Sequence, residues 1–361
     1  MFSRKSRLFT LKIFALIITG IALIATSSYV WADVKYGDPF YYVKRQCLFA
    51  LIGTIAMKAA SSLKKEWIKK HHWKLLAVCY AALLLVLVPG IGVSRNGSRS
   101  WFGAGSFLIQ PSEFFKLACI FSTAHLISKK QKVKHLKDVV SLLILPGAGF
   151  LLILLQPDFG SGLVMVCSIV VMILAAGAPM KYFLFCAGAG AAGLTGLILA
   201  APYRLKRILS FLDPWSDPLG SGFQIIQSYY AIAPGGLLGR GINQSMQKHF
   251  YLPEPQTDFI FAIACEELGW IGALCILLLY VLILIDCVEI VLKCRDTFSS
   301  FVIVGITALF MIQVLINLGV VVGLFPVTGI TLPFLSYGGS SLVMLMGSFG
   351  LIIGLNQQDD A

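Results

Sequence analysis

Apolar runs of about twenty residues, broken by short polar stretches, repeat along the whole chain. Ten can be drawn: 8–31, 44–63, 73–91, 111–128, 138–156, 160–178, 182–201, 262–292, 300–324 and 339–356. Each approaches the ~20 residues that an α-helix needs to cross the hydrocarbon core. The pattern predicts an all-α polytopic membrane protein with about ten transmembrane helices, built as a single domain over 1–361. The segment 202–261, between the seventh and eighth runs, is too long for a plain connector. Its apolar patches, such as Phe223 to Ala233, predict interfacial or re-entrant pieces in the headgroup region.

Charge sets the orientation. Loop 64–74 holds Lys64, Lys65, Lys69, Lys70 and Lys74, loop 129–137 holds Lys129, Lys130, Lys132, Lys134 and Lys137, and loop 293–299 holds Lys293 and Arg295. Together with Arg4, Lys5 and Arg7, these fall on one side of a ten-span alternation. The positive-inside rule makes that side the cytoplasm, so both termini are expected inside. Segments 32–43, 92–110, 156–160, 202–261 and 325–338 are expected outside.

Composition agrees with a lipid solvent. Of 361 residues, 58% are hydrophobic and 13% charged, against about a quarter charged in soluble domains. The net charge of +12 does not indicate nucleic acid, because the basic residues lie between apolar runs. The basic start followed by a long apolar run, with no convincing small-residue cleavage site, reads as an uncleaved first span. Of the nine cysteines, Cys79, Cys119, Cys167, Cys186, Cys275 and Cys287 are among those inside apolar runs, and no CxxC pair occurs. They read as small core residues, with no disulfide framework or cysteine metal site expected.

The outer segments differ from solvated connectors: they are rich in Gly, Pro, Ser and aromatics, with isolated charges. Asn96-Gly97-Ser98-Arg99-Ser100-Trp101-Phe102-Gly103 leads to Gln110-Pro111-Ser112-Glu113, where Pro111 and Ser112 suit a helix start. Glu113 and Lys116, at i and i+3, can pair, either orienting the fourth helix or lining a polar cavity. Trp101 is an interface anchor or a platform for a sugar face. In Gln156-Pro157-Asp158-Phe159-Gly160, Asp158 reads as the cap of the sixth helix. Arg204, Lys206 and Arg207 break the positive-inside pattern, as do Arg95, Arg99 and Arg240. Such arginines suit bidentate contact with phosphates, of ordinary anionic lipids or of a substrate. Gly235-Gly236-Leu237-Leu238-Gly239-Arg240-Gly241 lacks the GK[ST] ending of a nucleotide-binding P-loop. Asp258 lies at the edge of the eighth run, as an N-cap or as a partly desolvated base. Glu266 and Glu267 follow inside that run, where a membrane-embedded acid is a functional candidate. Two prolines and several glycines between Pro326 and Ser341 predict irregular backbone at membrane depth, buried in protein or lining a cavity.

The stretches NGSRSWFG, QPSEFFKLA, QPDFGSG, DPLGSGFQIIQS, PEPQTDFIFAI, EELG and PVTGITLPFLSYGGSS together resemble the SEDS proteins (shape, elongation, division and sporulation) over about residues 28 to 348. Thr328, where division-type members often carry lysine, fits the sporulation or rod-shape branch. The resemblance implies a peptidoglycan glycosyltransferase polymerising lipid II outside the cytoplasmic membrane of a bacterium, for division, shape or spore cortex. It also implies a class B penicillin-binding protein as partner, besides membrane lipids. It makes Asp258 the essential aspartate and matches Trp101, Glu113 and Lys116 to family positions. Gln224 and Ser336, inside matched motifs, join Arg99, Arg204, Lys206, Arg207 and Arg240 as candidate substrate-binding residues. The expected chemistry is an inverting transfer with Asp258 as base. A divalent cation, Mg²⁺ or Mn²⁺, would suit the pyrophosphate. The alternative is a lipid II flippase, although transporters usually place ionisable groups near the midplane of repeated halves.

Overall fold

The computed structural model of the chain describes residues 4–360 except 96, 105–106, 131–132, 185–186, 189 and 191–210. Ten α-helices are bounded among the described residues: α1 (Arg4–Tyr36), α2 (Tyr41–Ser61), α3 (Lys65–Leu85), α4 (Pro111–Lys130), α5 (Leu136–Leu155), α6 (Phe159–Ala175), α7 (Phe223–Ile232), α8 (Ile260–Lys293), α9 (Thr297–Val321) and α10 (Gly339–Asp360). By length and composition, α1, α5, α8, α9 and α10 can each cross a membrane. The bent pair α2 and α3 makes a sixth candidate, its axes turning by 115° at the break between them. The helix α4 carries Glu113, Lys116, Lys129 and Lys130, and α6 is a shorter apolar helix of 17 residues. The expected seventh span, 182–201, lies largely outside the described residues, as do Arg204, Lys206 and Arg207.

The exposed apolar surface shows lipid as the solvent. On α8, Ile271, Leu274, Leu278, Val281, Ile285 and Val288 are all exposed. They recur alternately three and four residues apart, which is one helix face. Meanwhile Glu266, Glu267, Gln313 and Asn317 are buried. Apolar-out and polar-in is the arrangement a bilayer imposes.

Two expectations are corrected. Loop 64–74 is helical: α3 begins at Lys65, eight residues before the third apolar run. Lysine is a good helix former, and Ile68, His72 and Leu76 give this stretch a buried face. The segment 92–110, drawn from hydropathy as a connector, contains strands. It folds as a three-stranded antiparallel sheet of β1 (Val93–Arg95), β2 (Ser98–Ala104) and β3 (Phe107–Ile109). Arg95 pairs with Ser98 across the Asn96-Gly97 dipeptide, with Gly97 at φ +82°. Asn-Gly is a strong hairpin signal, which the surrounding apolar runs overshadow.

The chain forms two compact units: Met1–Leu48, Leu184–Ile283 and Gln313–Gly338 in one, and Phe49–Phe183, Leu284–Ile312 and Gly339–Ala361 in the other. In the second unit α3 packs on α4, α5 on α6, and α4 on α6. Small residues allow the close approach. A Cβ on Gly149 would lie 2.1 Å from the Phe115 ring, and one on Gly305 would lie 2.6 Å from Ile120.

In the first unit the glycine-rich run 235–241 meets a break in α8. Gly269 there has φ +66°, outside the helical range. The interrupted helix exposes backbone groups, and the glycine run satisfies them. Arg240 and Gly241 N–H donate to the Glu266 and Glu267 carbonyls at 2.9 and 3.1 Å. Trp270 and Ile271 N–H donate to the Gly236 and Leu237 carbonyls at 2.9 and 3.1 Å. A Cβ on Gly239 would stand 2.1 Å from the Glu267 carbonyl oxygen. The glycines therefore serve backbone-to-backbone contact, which lets a broken helix keep its hydrogen bonds.

Candidate functional site

Asp258 closes the long segment 202–261, two residues before α8. Its neighbours Phe259 and Ile260 are buried and hold the helix entry in place. Asn317, on α9, donates through Nδ2 to the Asp258 carbonyl at 2.8 Å and to the Ile330 carbonyl at 2.7 Å. Ser336 Oγ donates to the Thr257 carbonyl at 2.6 Å and accepts from Leu332 N–H at 2.7 Å. Tyr337 N–H donates to the Gln256 carbonyl at 2.9 Å. Gln46 Nε2 donates to the Ser336 carbonyl at 3.2 Å, and its Oε1 accepts from Gly338 N–H at 3.4 Å. Gln313 Nε2 donates to the Thr331 carbonyl at 3.0 Å. Side-chain amides and one hydroxyl thus brace the irregular backbone that the two prolines and the glycines predict, as membrane depth requires.

The same loop walls the carboxyl of Asp258. Gly329 has φ +71°, and a Cβ there would stand 3.7 Å from Asp258 Oδ2. Protein surrounds the carboxyl on most sides while part of the residue stays accessible. Burial first, and the nearby Glu254 second, push the Asp258 carboxyl up from 3.8 to about 7. A carboxyl held there is a proton acceptor near neutral pH.

Other candidates of this unit are placed as follows. Gln224 is half-buried in the first turn of α7. Arg240 Nη1 lies 3.9 Å from Glu266 Oε1, with 41% of the arginine side chain exposed. Glu266 also accepts from Ser245 Oγ at 2.5 Å and Met246 N–H at 2.8 Å. Glu267 lies 3.7 Å from Lys248 Nζ. These two embedded acids are therefore tied into the packing of 240–248 against α8.

The second unit carries another polar set. Trp101 and Arg99 lie on β2, paired with Val93 and Ser94. Ser98 and Ser100 hydroxyls both donate to the Gln156 carbonyl, Ser100 at 3.2 Å. Gln156 Nε2 donates to the Leu83 carbonyl at 3.0 Å. Asp158 caps α6 as expected, accepting from Ser161 N–H at 3.2 Å, and its other oxygen accepts from Gln110 Nε2 at 2.8 Å. Burial raises the Asp158 carboxyl, against the hydrogen bonds from Ser161. Lys116 Nζ and Glu113 Oε1 are 2.8 Å apart, with side chains 3% and 10% exposed.

The reading of the sequence missed Asn317, Gln313 and Gln46. The available signal was an amide inside an apolar run, twice at i and i+4 in α9, because such a group must find a partner. Replacing Ser336 by alanine removes the partner of Leu332 N–H and a donor to Thr257. It is expected to destabilise the protein by about 1–3 kcal/mol, seen as a lower unfolding temperature in detergent.

Comparison with known proteins adds the following. The family model FtsW/RodA/SpoVE, described as cell cycle protein, matches residues 6–361. Stage V sporulation protein E of Bacillus subtilis is 53% identical over 345 residues, covering 95% of this chain and 94% of that one. A probable peptidoglycan glycosyltransferase FtsW from Geobacter sp. strain M18 is 38% identical, covering 93% and 92%. Among solved structures, a peptidoglycan synthase complex coordinating polymerisation and crosslinking contains a chain with TM-score 0.80 at 29% identity, covering 97% of each. The rod shape determining protein RodA of Thermus thermophilus, also solved as an aspartate-to-alanine variant, gives TM-score 0.73 at 25% identity, covering 98% and 97%.

Proposed function

The chain belongs to the FtsW/RodA/SpoVE family of cell cycle proteins, and we propose that it polymerises lipid II into glycan strands at the outer face of the cytoplasmic membrane. The observation that carries this reading is Asp258. It is a carboxyl held near neutrality by burial, at the mouth of a membrane helix, on a loop braced by Asn317 and Ser336. Relatives named as probable peptidoglycan glycosyltransferases supply the substrate class.

Asp258 takes the proton from the 4-hydroxyl of the acceptor's N-acetylglucosamine. That oxygen attacks the anomeric carbon of the donor's N-acetylmuramic acid, and undecaprenyl pyrophosphate leaves with inversion. The C55 tail keeps the substrate in the bilayer, at ~0.8 kcal/mol per buried CH₂, so the sugars react just beyond the headgroups. Both termini then lie in the cytoplasm, following the lysine-rich side. The candidate substrate-binding residues are Arg240, Gln224 and Ser336 in the first unit and Arg99, Trp101, Glu113 and Lys116 in the second, with Arg204, Lys206 and Arg207 outside the described residues; the arginines and Lys206 are the cations suited to pyrophosphate. Among the described residues no three of His, Cys, Asp and Glu group as metal ligands. Mg²⁺ or Mn²⁺, when bound, would take oxygen ligands from the pyrophosphate and help neutralise it. A class B penicillin-binding protein is the crosslinking partner, as the synthase complex with the similar fold suggests.

One experiment tests the reading. The purified chain with its partner is given lipid II while crosslinking is blocked. Glycan polymer from the wild type, absent with Asp258→Ala, is the expected result. No polymer from either, with lipid II crossing liposome membranes, replaces the polymerase by the flippase.

A further inference from the structure

An aromatic cluster joins the end of α1 to the start of α2. Tyr36 and Tyr41 stack with ring centroids 3.6 Å apart and planes within 8°. The Arg45 guanidinium lies 3.9 Å from the Tyr41 centroid. Two groups at such separations cannot share one face of a ring, so Tyr41 is sandwiched. Tyr42 packs edge-on to both, at 5.9 Å from Tyr36 and 5.4 Å from Tyr41. Tyr36, 40% exposed, ends the stack, with Lys35 Nζ 5.6 Å from its centroid.

This cluster is fastened to the surroundings of Asp258. Tyr42, itself 9% exposed, packs on Tyr337 at 4.9 Å. Tyr337 N–H holds the Gln256 carbonyl, two residues before Asp258. Gln46, one turn after Tyr42, clasps Ser336 and Gly338. The aromatic stack and the carboxyl therefore keep a fixed register within one unit. Lys35, Lys44 and Arg45 also add cations on the side that the lysine loops assign to the outside, where topology predicts few. Lys44 is paired with Asp38 at 2.8 Å.

We propose that the outer face of Tyr36, backed by Tyr41 and Tyr42 and flanked by Lys35 and Arg45, forms a saccharide subsite that holds the growing glycan strand, in the same unit as Asp258. The inference rests on the proposed polymerase reading. Ligand sites combine aromatic surface with a few placed polar groups, and a sugar ring offers an apolar C–H face to an aromatic plane. A peptidoglycan strand also carries anionic peptide stems, which Lys35 and Arg45 can meet. A polymerase that adds many sugars without release needs such a hold beyond the reacting pair. General anchoring of tyrosines at the membrane interface would account for exposed rings, but not for a stack tied to Gln256 and Ser336.

The test uses the full-length protein in nanodiscs together with its penicillin-binding partner, crosslinking blocked, with two readouts. Soluble uncrosslinked glycan fragments bearing peptide stems are titrated against wild type, Tyr36→Ala, Tyr36→Phe and Tyr29→Ala. Tyr29, 44% exposed, packs on Phe40 outside the stack and serves as an interface control. Binding is expected to weaken roughly tenfold in Tyr36→Ala and to be kept in Tyr36→Phe and Tyr29→Ala. Strand length from lipid II, read on gels, is expected to shorten in Tyr36→Ala alone. Equal binding by Tyr36→Ala and wild type, or no binding by wild type, overturns the subsite. Wild-type polymer with unchanged strand length in Tyr36→Ala does the same and leaves the polymerase standing. Absence of wild-type polymer while fragments still bind through Tyr36 sinks the polymerase reading and keeps the saccharide site.

Discussion

Alanine in place of Asp258 is expected to lower glycan polymerisation by about 10²–10⁴-fold, the usual contribution of a positioned base. Asparagine should fail equally, because the amide keeps the shape and cannot accept the proton. The pH profile separates a base from a structural cap. With the carboxyl raised to about 7, the wild-type rate should fall about tenfold per pH unit well below that value and level off above it. A carboxyl that only caps the helix takes no proton from substrate and would give no such limb in the rate. Stability runs the other way. The folded protein binds the Asp258 proton more tightly than the unfolded chain does, so its contribution is full below about pH 4 and is lost as pH rises towards 7. Asp258→Asn should therefore be inactive and, at pH 8, at least as thermostable as wild type. A folded Asp258→Asn protein with wild-type polymerisation would remove the base from this mechanism.

The sequence carried the helices well and the bracing poorly, for a physical reason. Apolar runs are set by lipid, and α1, α8, α9 and α10 fall close to the runs drawn from hydropathy. The sheet at 93–109 depends on a tight turn between Arg95 and Ser98, with Gly97 at φ +82°, which hydropathy does not register. Asp258 stood out as a candidate because an acid at the edge of an apolar helix is costly unless used. Its supports did not. Asn317 bonds the Asp258 carbonyl across 59 residues of sequence, Ser336 bonds Thr257 across 79 and Gln46 bonds Ser336 across 290, and no spacing rule predicts such pairings. The glycine run 235–241 was excluded as a P-loop, but its match to the break at Gly269 required the fold.

The largest stability effect is expected at the Glu113–Lys116 pair, and its double variant decides between orienting a helix and serving catalysis. Replacing Glu113 by alanine leaves the Lys116 ammonium, 3% exposed, without its carboxylate. Removing one partner of a buried pair typically costs ~3–5 kcal/mol, so Glu113→Ala should unfold at a clearly lower temperature in detergent. An apolar pair of similar volume, Glu113→Leu with Lys116→Met, should recover most of that loss, because buried ion pairs gain little over well-packed apolar groups. A helix held by apolar packing would be oriented as well as before. The pair, however, does not stand alone. Asp158 lies within electrostatic reach of both members and is hydrogen-bonded to Gln110, so one polar network joins the start of α4 to the cap of α6 in the second unit. Such a network suits the binding of a polar substrate group better than the fixing of a helix. The double variant is therefore expected to be stable yet impaired in polymerisation by about 10²-fold, the scale on which misplaced substrate costs rate. Full activity in a stable double variant would reduce Glu113 and Lys116 to a means of orienting α4.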